Sequence, residues 1–290
     1  MTFDLTHARH DRAHCLAPGL FRSLKRGERK NSKLDVTYQF GNESIRFWGP
    51  EPLGADDLRV LQGLVAMSGP QGIILGPEPK TGMGQQLRLF LDPKWEAVQE
   101  NAMVVKDSFR KLSRELGYED PDGGSAFRHI RRCIERMWAV SVLVEDRNGK
   151  RRGFRILSDY ESDEPEGKLY VALNPRITKA VLGDSPHVRI DMNEVRSLKL
   201  DVARLIHQRL SGWIDPGKER QVTIDTLVEY AYPGGAEGVS RPTLSKRRKA
   251  VREALSELEA VGWQAWEYAR GKVLIRRPEE GGSVLPSDCS

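Results

Sequence analysis

One apolar stripe occurs twice in this chain. Val251, Leu255 and Leu258 recur at helical spacing in KRRKAVREALSELEAVG, and Ile130, Ile134 and Met137 repeat that spacing at a constant offset in AFRHIRRCIERMW. Apolar residues three and four apart share one face of a helix. Each stripe sits in the same plan. A short helix (SFRKLSREL, then TIDTLVEYA) leads through a glycine-bearing loop to a longer basic helix and then a basic hairpin. A repeated supersecondary unit implies two related domains, and 290 residues suit two of medium size. The expected fold class is α+β, as two tandem winged-helix domains.

The second copy, Ser240 to Pro278, carries the chemistry. Ser240 is placed to cap a helix, and Pro242 is tolerated in a first turn, where its missing N–H would have no partner. Leu244 extends the stripe of Val251, Leu255 and Leu258. A helical wheel sets Ser245, Lys246, Lys249, Arg252 and Glu253 on the opposite face, with Arg247 and Arg248 flanking. The helix should stop near Gly262. QAWEY and KVLIRR then read as strands joined by Ala269–Arg270–Gly271. Ten basic residues face four acidic ones here, a local excess of six, while the whole chain carries +5. A solvated helix face is the competing reading of KRRK. Charge concentrated on one helix and hairpin favours double-stranded DNA, the helix meeting the major groove and the hairpin the backbone.

The candidate DNA contacts of this half are Ser245, Lys246, Arg247, Arg248, Lys249, Arg252, Arg270, Lys272 and Arg276. In the first half, Arg128, Arg132 and Arg136 face outward on the wheel as a phosphate clamp. Lys150, Arg151 and Arg152 follow at the tip of a hairpin made by VSVLVED and GFRILSDY about Arg147–Asn148–Gly149.

Elsewhere, residues 1–31 are polar and basic and read as a flexible arm, with RSLKRGERK an arm or a short helix. LDVTYQF and SIRFW alternate around Gly41–Asn42 as a hairpin. ADDLRVLQGLVAM is a helix whose Asp56 and Asp57 suit its positive start. QGIIL and QQLRLFL read as strands about a Gly/Pro-rich loop, Asp107 as the cap of SFRKLSREL, DYESDEPE as a solvated acidic loop, and KLYVAL as a strand. MNEVRSL and DVARLIHQRLSGWI open the second domain. The expected domains are 32–184 and 185–278, with a disordered tail at 279–290.

Composition bounds the rest. Hydrophobic residues at 39% and charged ones at 30% describe a soluble globular chain. Cys15, Cys133 and Cys289 fit no disulfide framework, so a reduced, cytoplasmic compartment is expected. No apolar run is long enough to span a membrane. His7, His10, His14 and Cys15 cluster but match no zinc spacing, so no metal is expected. GPEPKTG has Pro79 where a phosphate loop needs its last glycine, so no nucleotide cofactor is expected. No spacing supports a catalytic constellation, and Cys133 reads as a packed small hydrophobe.

HDRAHCLAPGLFRSLKRGER, SKLDVTYQF, GPEPLGADDLRVLQGLVAM, LGPEPKTG, LRLFLDPKWEAV, KLYVALNP, WIDPGK and KRRKAVREAL together resemble the RepC replication initiators of IncQ-type plasmids. The likeness runs from about His10 to Pro278 and is weak over Gly117–Ser125 and Tyr232–Arg241. VARLIHQRLSGW is also similar to the helix that opens the second winged helix in the wider group of plasmid initiators. The resemblance implies tandem winged helices of the plasmid replication initiator type that bind tandem direct repeats (iterons) at an origin and promote opening of the adjacent duplex. It also implies plasmid-encoded helicase and primase partners and no catalytic activity; a homodimer stays open. A winged-helix transcriptional repressor is the main alternative, but two unlike readers in one chain suit an asymmetric repeated site better than a palindrome. A relaxase or primase would need clustered histidines or carboxylates beside a tyrosine nucleophile, whereas His129, His187 and His207 are scattered.

Overall fold

The computed structural model describes residues 5–25, 27–75, 85, 102–163, 167–234 and 239–279. Residues 86–91 of QQLRLFL, the GPEPKTG loop, Cys289 and the expected tail beyond Glu279 lie outside them, and Gln85 is helical where a strand is expected. The chain opens with β1 (His7–Asp11), α1 (Arg12–Leu16), the single turn α2 (Glu28–Asn31) and a hairpin of β2 (Leu34–Phe40) and β3 (Glu43–Gly49). Next come α3 (Ala55–Gln71), β4 (Gly72–Leu75), β5 (Ala102–Ser108), α4 (Phe109–Glu115) and α5 (Gly124–Trp138). β6 (Ser141–Asp146), β7 (Arg151–Arg155), β8 (Leu157–Asp163), β9 (Lys168–Leu173) and α6 (Pro175–Leu182) follow. Then come β10 (His187–Asp191), α7 (Met192–Ser197) and α8 (Asp201–Trp213). The chain closes with β11 (Glu219–Thr223), α9 (Ile224–Ala231), α10 (Arg241–Ala260), β12 (Gln264–Ala269) and β13 (Lys272–Arg276).

The repeated plan is visible in the pairing. One sheet has the order β11–β13–β12, and another contains β5–β9–β8 with β4 added outside β5. In both, the strand before the short helix pairs with the last strand of the hairpin. The helices correspond too: α3, α4 and α5 in the first copy, α8, α9 and α10 in the second. The hairpin of the first copy is therefore β8–β9, which corrects the expectation from sequence. β6 and β7 do form a hairpin, but it is inserted between α5 and β8. It joins β2 and β3 in a separate sheet of order β2–β3–β6–β7. The cause is side-chain alternation: Val142 and Val144 are buried opposite Phe47 and Ile45 of β3.

The N-terminal segment is not a flexible arm. β1 pairs antiparallel with β10, Ala8 opposite Ile190 and His10 opposite Val188. Leu5, Ala8, Ala13, Cys15, Leu20 and Phe21 are buried, while Arg9 points outward. The segment reads as polar because its buried residues are mostly small and interleaved with charge. It is anchored by Arg12 Nε donating to the Gly212 carbonyl at 3.0 Å and Arg196 donating to the Leu5 carbonyl at 3.0 Å.

α3 is apolar nearly all round, with Leu58, Val60, Leu61, Leu64, Val65 and Met67 buried, which marks a central helix. Its one buried amide is matched across the molecule. Gln62 Nε2 donates to Gln208 Oε1 at 2.7 Å, and Gln208 Nε2 donates to Cys15 Sγ at 3.0 Å, linking α3, α8 and α1. Two local expectations change. Ser108, not Asp107, caps α4. Asp159 to Asp163 belong to β8 and are not a loop. Among the described residues, no helix is long and apolar enough to cross a membrane.

Two predictions follow from this packing. Gln62→Leu should cost about 1–3 kcal/mol in chemical denaturation, because it strands the Gln208 carbonyl, and Gln62→Leu with Gln208→Met should recover most of the loss. Asp11 is the second. Burial alone would raise its carboxyl, but His14, whose Nδ1 is 2.5 Å away, and Arg176 outweigh burial and hold it at about 2, below the ordinary 3.8. That stabilisation is complete above pH 3.8 and is lost as pH falls towards 2. Asp11→Asn should lower stability at neutral pH by about 2 kcal/mol and flatten the acid limb of a pH–stability curve.

Candidate nucleic-acid interface

α10 is the longest helix among the described residues, 20 residues or about 30 Å. Ser240 takes the extended N-cap conformation, although its hydroxyl meets Thr243 Oγ1 at 3.0 Å and no backbone amide. Val251, Ala254, Leu255 and Leu258 bury the inner face. Val261 is the C-cap, and Gly262 follows at φ 98, in the left-handed region. β12 and β13 turn back at Arg270–Gly271, with Gly271 at φ 73.

The cations that the sequence groups together are sorted by the structure into different roles. Arg248 makes two parallel bonds to Asp225 in the first turn of α9, both at 2.7 Å. The Arg248 bond in turn holds the Asp225 carboxyl below its usual range. Arg252 makes a similar fork to Glu267 of β12, at 3.0 and 3.2 Å. Glu267 also accepts the Gly271 amide at 2.6 Å, and Arg252 and that amide hold it at about 2. These two arginines tie α10 to the helix before it and the hairpin after it. Arg247 lies over the Tyr232 ring at 4.8 Å. Lys249 stands 3.7 Å from Glu253 with 80% of its side chain exposed, too loose to hold it. Ser245 and Lys246 are exposed. The outward edge of α10 is therefore Ser245, Lys246 and Lys249. Arg270 is exposed at the hairpin turn, and Lys272 and Arg276 are exposed along β13.

The first half departs further from expectation. Arg128 and Arg132 are exposed on α5, but Arg136 is not an outward residue. Its side chain is 13% exposed and reaches Asp57 at 2.7 Å and Asp56 at 3.3 Å. Arg29 meets Asp56 at 2.5 Å and Asp57 at 3.0 Å, and Asp57 also accepts the Gly54 amide at 2.7 Å. Burial, and then the charge of Asp56, push the Asp57 carboxyl up to about 6, while Asp56 stays depressed by Arg29 and Arg136 against its own burial. The wheel misplaces Arg136 because the carboxylates that draw it inward come from the start of α3.

Lys150, Arg151 and Arg152 are exposed at and beside the β6–β7 turn, with Arg151 Nε 2.9 Å from Glu145, so they belong to the inserted sheet. The true hairpin of this half, β8–β9, instead carries Asp159 and Glu161 along β8, Glu161 exposed.

The members of the histidine-rich segment have separate surroundings. His14 bonds Asp11, Cys15 bonds Gln208, and His10 is fully buried, which lowers its ring to about 3. Among the described residues, Asp56, His129 and Cys133 do bring three ligand atoms within 4.8 Å of one another. Both Asp56 oxygens there are engaged by Arg29 and Arg136, and burial raises the Cys133 thiol far above its usual range. The sequence gives no warning of this group, since its members come from two separate helices.

Comparison with known proteins follows the whole chain. The model of the Replication protein C (RepC) family matches residues 2–279. A solved structure of domains 2 and 3 of RctB is similar with a TM-score of 0.53 at 12% identity, covering 92% of this chain and 97% of that one. A second structure of those RctB domains gives a TM-score of 0.49 at 12% identity, covering 90% and 92%. No curated protein matches. The first likeness shows a shared mixed α+β fold and carries no residue roles.

The sorting of cations predicts different fates for neighbouring arginines. Arg136→Ala should be a folding defect of about 3 kcal/mol, read by thermal or chemical denaturation, because it leaves buried Asp57 short of a partner. Arg132→Ala should leave stability unchanged and, if α5 touches phosphate, lower the salt slope of DNA binding by about one.

Proposed function

The chain belongs to the Replication protein C (RepC) family of replication initiators, and on that premise we propose that it binds tandem direct repeats (iterons) at a plasmid origin of the IncQ type. In this reading the two repeated units are winged helices, and duplex opening beside the repeats leads to loading of a plasmid-encoded helicase that works with a primase. The protein contributes binding energy and no catalytic group. It acts in the cytoplasm.

The observation that carries the reading is the bracing of α10. Two forked arginine–carboxylate pairs fix the helix between α9 and β12, and their geometry leaves Ser245, Lys246 and Lys249 on the exposed ridge. A rigid ridge of short polar and long cationic side chains suits major-groove entry, where phosphate contacts position the helix and base edges specify it. Arg270 at the hairpin turn is placed to follow the backbone. Arg248 and Arg252 act as positioning residues in this scheme.

The first copy contributes differently. Arg128 and Arg132 can take phosphate, but its β8–β9 hairpin is acidic and would be repelled by a DNA backbone. We assign α5 a clamping role and α10 the reading of bases. The β1–β10 pairing and the Gln62–Gln208–Cys15 chain of hydrogen bonds support a fixed spacing between the two.

A repeat with half a helical turn inserted at its centre tests this. Two helices on one duplex face sit about 34 Å apart, so the insertion turns one of them to the wrong side. Specific affinity in a gel-shift titration should fall to near the non-specific level. Retention of nearly full affinity would overturn the two-headed arrangement and leave α10 as the sole reader.

A further inference from the structure

The β11–β13–β12 sheet has two unlike faces. Val222, Val273 and Ile275 are buried on the side of the helices. Glu267, opposite Val273, is on that side too, because it reaches Arg252 of α10. Trp266 is the next residue along β12 and stands opposite Leu274, so it projects to the other side. Tyr268 sits at a register shift between Glu267 and Ala269, and its hydroxyl meets Gln221 Oε1 of β11 at 3.0 Å. That bond spans the central strand β13 and lays the ring across the outer face. Lys272 and Arg276 alternate with the buried Val273 and Ile275 and share this face.

The result is an exposed aromatic pair set among cations. Trp266 is 45% exposed and Tyr268 47% exposed, on an edge strand. Arg270, Lys272 and Arg276 are exposed, and none is paired with a carboxylate among the described residues. This differs from α10, where Arg248 and Arg252 are committed. Glu219, opposite Arg276, is an acid at one end of the face and weakens it there. The cationic track therefore centres on Arg270, Lys272 and the two rings.

We propose that this outer face binds single-stranded DNA, with bases stacked on Trp266 and Tyr268 and phosphates held by Lys272 and Arg270. Stacking rings beside a basic track is the arrangement that unpaired strands use, because every base has a flat face and every nucleotide a phosphate. A duplex offers the phosphates but keeps its base faces stacked on one another, which leaves the two rings without a role. A protein partner would have to bury Lys272 and Arg276 or pair them; a nucleic-acid strand brings the neutralising charge itself. The physiological role of the face, holding a strand released at an opened origin, rests on the initiator reading. Strand binding itself is measurable apart from it.

The test uses fluorescence anisotropy with three labelled probes: an oligothymidylate, a strand of equal length made of abasic sites, and a duplex carrying the origin repeat. Trp266→Ala with Tyr268→Ala should weaken oligothymidylate binding by about tenfold or more. It should leave the abasic strand and the duplex unchanged, which also reports that the fold is intact. Trp266→Phe keeps a flat ring and should retain most of the affinity. Lys246→Ala with Lys249→Ala should do the opposite, losing the duplex and keeping the oligothymidylate. Equal oligothymidylate binding by wild type and the aromatic double variant would overturn the proposal. So would an equal loss on the abasic strand, or loss of self-association with all DNA binding preserved. Intact duplex binding by the lysine double variant would instead overturn the assignment of α10, and the two failures are therefore distinguishable.

Discussion

The pairing of β1 with β10 is the contact on which the rest of the arrangement depends. It places the first strand of the chain beside the strand that leads into the second repeated unit. From there α1 packs against α8, and α8 packs against α3, the central helix of the first unit. The Gln62–Gln208–Cys15 hydrogen bonds run through that contact in the buried interior. A buried polar link of this kind adds little net free energy, yet an unmatched alternative is costly, so it specifies one way for the halves to meet. Two modules that meet directly through α3 and α8 are held further by a third element that touches both.

The carboxylates decide what the cations can do. Asp56 and Asp57 draw Arg29 and Arg136 inward, and Asp225 and Glu267 hold Arg248 and Arg252 beside α10. The first group is largely buried, so removing one member exposes the rest to an uncompensated charge. The second group is partly exposed and contributes little to stability, but it fixes rotamers on a helix whose outward edge must be well placed. Forked arginine–carboxylate geometry gives that orientation, which a lysine in the same place would not. The residues left on the surface, Lys246, Lys249, Arg270, Lys272 and Arg276, are those with no strong neighbour.

Much of the plan was legible in the sequence because it rests on short-range periodicity. The stripes at Ile130–Met137 and Val251–Leu258, the Gly41–Asn42 hairpin and the end of α10 near Gly262 all depend on residues within a few positions of each other. What failed depended on distant partners. β6 and β7 read as the hairpin belonging to α5, and only the pairing of Val142 with Phe47 moves them to another sheet. Arg136 reads as solvent-facing on a wheel that has no knowledge of α3. Residues 5–21 read as an arm because Ala8, Ala13 and Cys15 are too small to register as a hydrophobic pattern, yet small residues are what a strand and helix packed closely against α3 and α8 require. The candidates of Ser240–Pro278 share one helix and the hairpin after it, as their spacing implies, while the division between bracing and outward ones needed Asp225 and Glu267 in place.

Divergence between the two copies then has a physical reading. They share helix order and strand order, but their hairpins carry opposite charge: Asp159 and Glu161 on β8, against Arg270, Lys272 and Arg276 at the turn and along β13. In the proposed function a duplex would attract the second hairpin and repel the first. Identical docking of both units on one repeat would set the acidic hairpin against phosphate, with only Arg128 and Arg132 of the three α5 candidates left to offset it, since Arg136 is committed to Asp57. In the proposed function this asymmetry would set the polarity of the molecule on its site, with the second unit over its target and the first on the backbone through Arg128 and Arg132. Direct repeats, the proposed target, have that same head-to-tail polarity, which a chain with two unequal ends could read and a symmetric pair of readers could not.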